Sequence, residues 1–381
     1  MLAEASKGKV RLGFFAALAA ALVSSGVLAG PPGVRINEAV ASNGGTAEDS
    51  DGDSSDWIEL FNDGSEAASL EGWGLSDKEG EPFRWMFPEV VVEAGGYLLV
   101  WASGKDRRDP KGELHANFSI AAEGETIHLT MPGGAEADSM PATELPRDVS
   151  LGRKEGAGDH WLYFDRPTPG AANVSTGYLG IVSTPTFTLE SGFHPEGGEL
   201  WARHDDPEVT IRYTLDGRFP DADSPVWREA LRLEAKQTGT EGMAGIPTSP
   251  PEADALGIGW LPPLEANPAG VAVRAAAFKE GYLTARAASG TWFAGQAFAG
   301  ERGLDVVALI VDPADWFDAR RGIYVPGKIY EENGFGDSPF GNPNANYYQR
   351  GSEWERPAYF ELFSRGGGKR ETFGDVGLRI H

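Results

Sequence analysis

Hydrophobic and polar positions alternate along much of this chain with the period of two that a half-buried β-strand requires. In "ETIHLTM", Ile127, Leu129 and Met131 are expected to point inward and Thr126, His128 and Thr130 outward. "YLLVWAS" is apolar on both sides, which predicts a central strand. "VRINEAVAS", "DWIELFN", "LEGWGLSD" and "HWLYF" extend a series of short strands, parted by Gly, Pro and Asp clusters. That spacing predicts a β-sandwich over residues 31–175.

A second series begins with "PEVTIRYTLDGRFPDADSPVW". Val209, Ile211, Tyr213 and Leu215 share one face, Thr210, Arg212 and Thr214 the other, and "DG" supplies a turn. "VAVRAAAFKEGYLTARAASGTWF" adds two strands about a turn at Gly281. The expectation is a second sandwich over residues 178–297, with a Pro/Gly-rich insertion at 236–269 that forms an exposed loop. Trp260 in that insertion either meets a sugar ring or partner protein or packs back on its own domain.

The style changes near residue 303. "LDVVALIVD" is a continuous apolar run suited to a strand buried on both faces. Asp312 then offers a helix cap, Pro313 the first helical position and Asp315 a first-turn acid. Ile323 to Val325 read as strand, "SRGGGKRETF" as turn, and "GDVGLRIH" as a half-buried strand. The fold expected is therefore mainly β: two immunoglobulin-like β-sandwiches in tandem, followed over residues 303–381 by the N-terminal portion of an α+β unit.

Charge narrows the partners. With 33 basic against 57 acidic residues the net charge is −24, which repels nucleic acid and anionic lipid. Cysteine is absent, so disulfides and thiol nucleophiles are excluded. Lys7, Lys9 and Arg11 precede the apolar "LGFFAALAAALV", and Val27 and Ala29 stand where a signal peptidase would cut. This predicts a signal peptide over residues 1–29, export to the medium or the cell surface, and no membrane span after cleavage. An uncleaved anchor is the alternative, although the run falls short of the ~20 residues that span a bilayer.

Candidate chemistry is sparse. Asp49, Asp51, Asp53 and Asp56 stand in the order D-x-D-x-D-S-x-x-D, close to the loops that ligate calcium through closely spaced carboxylate oxygens. Ser54 occupies the usual glycine position, and Leu60 the place of the bidentate glutamate. The other reading is a solvated acidic turn whose Asp56 bonds backbone amides to start the next strand. Gly322, Gly327 and Lys328 have phosphate-loop spacing, but Ile329 replaces the magnesium-binding hydroxyl, so the match reads as chance. In "SEWERP", Arg350, Glu353, Glu355 and Arg356 flank Trp354; they make either a local salt-bridge cluster over a strand junction or ion pairs that hold a site. Arg379 follows on the face opposite Ile380.

Three stretches resemble known families. "RINEAVASN", "DSDGDSSDWIELFNDG", "LEGWGLSD" and "GGYLLVWAS", in that order, resemble the bacterial form of the lamin-tail domain, which implies a binding or spacing module without a catalytic set. "YTLDGRFP" and "SPVW", followed by "VRAAAF" and "GYLTA", resemble the chitobiase C-terminal type of module. "NYYQRGSEWERPAYFELF" leading to "GLRIH" resembles the start of the spore coat protein H (CotH) kinase family, an atypical protein kinase fold. That resemblance implies a nucleotide-binding lysine strand and metal-binding aspartates past the equivalent of His381, hence an inactive fragment here, with ATP and magnesium relevant only to a complete, active domain. The function expected is a secreted or surface protein whose sandwiches bind or space for a CotH-like kinase domain; the alternative is a non-enzymatic adhesion or envelope scaffold. An extracellular or envelope protein or glycan is the expected partner.

Overall fold

The computed structural model describes residues 33–154, 156, 159–237, 242–250, 259–262, 264–265, 268–295, 305–333, 345–364 and 370–380. The expected signal peptide and much of the 236–269 insertion lie outside the described residues. The architecture is mainly β, in several sheets, with two short α-helices among the described residues.

In the first unit a six-stranded sheet runs in the order Trp161–Phe164, Ser150–Arg153, Val34–Val40, Asp56–Asn62, Tyr97–Ala102, Leu114–His115. A four-stranded sheet of Glu136–Met140, Ile127–Thr130, Gly74–Ser76 and Trp85–Met86 faces it. Ile36, Ile58, Leu60, Leu75, Trp85, Val100, Ile127 and Leu129 fill the core, all fully buried. The Tyr97–Ala102 strand is flanked on both sides, as its apolar sequence requires.

A bulge in the first strand governs this sheet. Pairing with Asp56–Asn62 slips between Ile36 and Glu38, so Val34 and Ile36 enter the core before the slip and Ala39 and Ala41 after it. Val40 therefore turns to the outer face, where it packs with Trp57 and Trp101. The backbone groups freed at the bulge are taken by side chains: Ile36 N donates to Asp138 Oδ2 at 2.8 Å, and Arg153 Nη1 donates to the Ile36 carbonyl at 2.6 Å. Arg153 also pairs with both carboxylate oxygens of Asp138 and lies 4.0 Å from the Trp161 ring centroid.

The second unit has a four-stranded sheet in the order Gly192–His194, Ala287–Ala294, Val271–Phe278, Thr210–Thr214, with two-stranded pairs beside it. Leu200, Leu233, Val273 and Trp292 form its core. The segment between the sandwiches is paired to both. Tyr178 exchanges two 2.9 Å backbone hydrogen bonds with Tyr163, while Leu179 and Val182 donate to Gly281 and Leu283 at 2.8 and 2.9 Å. Arg286 and Glu144 add an ion pair of 2.6 Å across the same junction.

The third unit is an antiparallel sheet of Val306–Val311, Arg356–Phe363 and Arg370–Leu378 with helices Pro313–Phe317 and Gly327–Asn333. Asp312 caps the first helix through its side chain, as expected. One face of the sheet lies on the second sandwich. Phe363 meets Phe193 and Phe293 edge-on at 5.9 and 5.6 Å, and Ser191 Oγ donates to the buried Glu361 Oε1 at 2.5 Å.

Several local expectations are corrected. Ile323–Val325 is a bend, not a strand: Ile323 and Tyr324 donate backward to the Asp315 and Trp316 carbonyls, Tyr324 meets the Trp316 ring edge-on at 5.2 Å, and Ile323 and Val325 are buried. Arg370 to Phe373, expected in a turn, already belong to the last strand, which ends at Leu378. Thr130 is buried because the strand stays paired on both sides to its end, and Met131, opening the following turn, is half-buried. Leu215 falls past its strand and is exposed.

Candidate functional site

Two loops lie over the outer face of the six-stranded sheet; one gathers carboxylates of its own and the other caps a pair of them on the strands. The first is the acidic loop. Asn43 closes its base by donating to the Ala47 and Ser55 carbonyls and accepting from Thr46 N. Gly52, at φ 82°, makes the sharp turn that was expected two positions later. Asp49 Oδ1 accepts from the Asp51 and Asp53 amides at 3.0 Å each, which folds the three carboxylates inward.

Lys105 stands at their focus. Its Nζ lies 2.5, 2.7 and 2.8 Å from Asp49, Asp51 and Asp53, and the Asp49 side chain is fully buried. Arg107 Nη2 adds a contact of 2.6 Å to Asp51. Hydrogen bonds from Arg107 and then Lys105 hold Asp51 down to about 2. Burial works against the charge on Asp49 and on Lys105, but hydrogen bonds together outweigh it: Lys105 and the Asp53 and Asp51 amides lower Asp49, and Asp49, Asp51 and Asp53 raise Lys105.

Behind this group Glu113 Oε2 accepts from Ser50 N at 2.7 Å and lies 3.8 Å from Nε2 of the fully buried His115. Ser103 Oγ sits 2.9 Å from His115 Nδ1, and the imidazole stacks on Trp101 at 6.4 Å. Burial, then Arg107 and Lys105, push this histidine below its ordinary value.

Of the four aspartates singled out for calcium, Asp49, Asp51 and Asp53 converge, with ligand atoms all within 4.8 Å of one another. Asp56 does not join them; it accepts from Asn43 N at 3.1 Å at the start of its strand, and burial raises it. The focus that a cation would occupy is held by the Lys105 ammonium.

The second loop caps a buried pair that the sequence reading missed. Glu38 and Glu59 are direct cross-strand partners, both fully buried. Glu38 accepts from Ser150 Oγ at 2.5 Å and Thr168 N at 3.0 Å; Glu59 accepts from Asn37 Nδ2 at 2.7 Å and from Gly170 N. Burial raises both, Glu59 to about 7 against the pull of its two hydrogen bonds, with the Glu38 charge adding to the rise. A glutamate amid apolar positions in each of "RINEAVAS" and "DWIELFN" was the available signal.

The residues of the third unit behave differently. Arg356 stacks on Trp354 at 5.3 Å and donates to the Arg321 and Glu353 carbonyls at 2.8 and 2.7 Å. Arg379 pairs with Glu355 at 3.4 Å, Arg147 of the first sandwich approaches the same carboxylate at 4.0 Å, and Arg350 donates to the Ile380 carbonyl at 3.1 Å. Lys328 is engaged with Glu331 at 2.5 Å inside the second helix. Trp260 is half-buried.

Fold and site together define a multidomain β-sandwich protein with immunoglobulin-like modules. Residues 29–144 match the family model of the Lamin Tail Domain, and residues 203–292 match the model described as Fn3 associated. Neither match reaches residues 303–381. No curated protein matches the chain.

Proposed function

We propose that this chain is an exported, surface-displayed mount: two sandwiches joined stiffly in series that carry a kinase-like unit of the spore coat protein H type. The observation behind the mount is the junction, where residues 178–182 hydrogen-bond to Tyr163 on one side and to Gly281 and Leu283 on the other. A free linker would leave those backbone groups to water and let the modules swing. The kinase-like part rests on the "NYYQRGSEWERPAYFELF" and "GLRIH" resemblance, and export on the N-terminal basic and apolar pattern.

Small-angle scattering tests the mount. A single elongated envelope supports it; an ensemble of inter-module angles refutes it. Magnesium-dependent ATP consumption by the whole product of the gene tests the kinase part, and its absence leaves the reading of a non-enzymatic scaffold. Localisation of a tagged protein to the medium or the cell surface tests export.

A further inference from the structure

The pair Glu38 and Glu59 does no work in the mount, yet the loop over it stands just ahead of the joint in the chain. The loop that caps it, Thr168 to Asn173, leads directly into the segment that hydrogen-bonds the two sandwiches together. Thr168 Oγ1 donates to Asn173 Oδ1 at 2.8 Å, and Asn173 Nδ2 donates to the Arg153 carbonyl at 2.9 Å, so the loop is held as a unit over the two carboxyls.

The surroundings of the pair are neutral. The strand Ser150–Arg153 offers the Ser150 hydroxyl, the capping loop offers Thr168 and the Gly170 amide, Asn37 offers its amide, and Leu99 is the residue opposite Glu59 on the neighbouring strand. Among the described residues no Lys, Arg or His nitrogen lies within 4.0 Å of either carboxylate; Arg153 in the adjoining strand is committed to Asp138 and the Ile36 carbonyl. Two carboxylates in one dry site with no counter-charge repel each other strongly, and the system relieves this by keeping one proton.

We propose that Glu38 and Glu59 form a proton-sharing latch that fastens the Thr168–Asn173 loop, and with it the joint between the sandwiches, more tightly at acid than at alkaline pH. While the latch is closed the pair keeps a proton, held on Glu59. Opening exposes both groups to water, where they ionise fully, so rising pH pulls the latch open. The inference refines the stiff-mount reading and is separable from it, because scattering at one pH tests stiffness whereas the latch predicts a pH dependence.

Hydrogen exchange read as protection factors for residues 166–173, at pH 5.5 and pH 8, is the test. Protection is expected to fall about 30-fold between the two, the part of the Glu59 rise from 4.5 to about 7 that this interval spans. In Glu59→Gln, which is neutral at every pH, the fall should shrink to the smaller part that the raised Glu38 contributes. Glu38→Gln removes the neighbouring charge and should move the midpoint to lower pH. An infrared carboxylic-acid band in the wild type, titrating near neutrality and missing from Glu59→Gln, should accompany the change. Constant protection in the wild type, or the same pH dependence in Glu59→Gln, would overturn the proposal; if Glu59→Gln does not fold, absence of the wild-type band does so instead.

Discussion

Lys105 Nζ lies 2.5 Å from Asp49 Oδ2, an ammonium placed among three carboxylates by a side chain from the loop that follows the Tyr97–Ala102 strand. The acidic loop thus closes over a cation that belongs to the chain itself. Its geometry is that of a cation-binding turn, while its charge is already answered from within.

Lys105→Met should lower the stability of the first sandwich by about 1 to 2 kcal/mol, since Asp49 keeps its burial and loses its partner. Calcium should then restore part of the loss, the three freed carboxylates being suited to a hard cation. In the wild type calcium must displace a tethered ammonium, so the melting midpoint should move by no more than about 1 °C between chelator and millimolar calcium. A wild-type rise of several degrees would show that the ion wins the site.

Arg153→Met should cost about 3 kcal/mol, because Asp138 would remain buried beside the bulge without its counter-charge and the Ile36 carbonyl would lose its donor. Denaturant titration should show a lower midpoint at unchanged slope, the signature of lost stability without a change in the surface exposed on unfolding. Replacing Arg153 and Asp138 together by apolar residues should recover much of the loss, though not the hydrogen bonds to Ile36.

The same bulge shows where the sequence stopped being legible. Most of the strands were readable because alternation and turn residues report local structure, but Val306–Val311, expected to be buried on both faces, is an edge strand with Val307 and Leu309 exposed, since an apolar run does not say how many neighbours it gains. Val34, Ile36 and Val40 look like one face by a period of two, and only the slip at Glu38 sends Val40 to the other side with Trp57 and Trp101. Asp49, Asp51 and Asp53 were legible as a group through their spacing; Lys105 was not, since nothing local ties it to a loop more than fifty residues earlier. Glu38 and Glu59 escaped because charged residues in strands are ordinarily read as solvent-facing, and their burial depends on a loop from beyond residue 165. Ile323 and Val325 copy a strand pattern while packing in a bend, which periodicity over three residues cannot distinguish.

Gly217→Ala should loosen the contact between the second sandwich and the third unit. Gly217 has φ 90°, and an added Cβ would stand 2.3 Å from the Val311 carbonyl oxygen at the end of the sheet strand it abuts. Arg274 Nη1 donates to the Gly217 carbonyl at 3.1 Å, so the turn cannot retreat without losing that bond. Limited proteolysis should cut residues 305–333 earlier in the variant while the first sandwich resists as before. Unchanged cleavage would mean that the Phe193, Phe293 and Phe363 cluster and the Ser191–Glu361 hydrogen bond hold the two units without the Gly217 contact.

The first sandwich should be most stable near pH 4 to 5, on the acid side of neutrality. Glu59 is raised from 4.5 to about 7, so across that window the native state keeps a proton that the unfolded chain releases. The Glu59 contribution therefore declines as pH rises from 4.5, by about 3 kcal/mol in all, and levels off above 7; Glu38, also raised, adds to the decline, and the lowered His115 offsets part of it as pH rises toward its ordinary value. Asp49 and Asp51 act in the opposite sense. Both are lowered from 3.8, Asp51 to about 2, so the stability they contribute is present above 3.8 and is lost as pH falls toward 2. Between the two windows both contributions are retained. Thermal melts from pH 2 to pH 9 should trace this maximum, with Glu59→Gln flattening its alkaline flank and Lys105→Met its acid flank. A wild-type profile flat from pH 4.5 to pH 7 would mean that Glu59 ionises in the fold as readily as in water, a result incompatible with its place under the Thr168 to Asn173 loop.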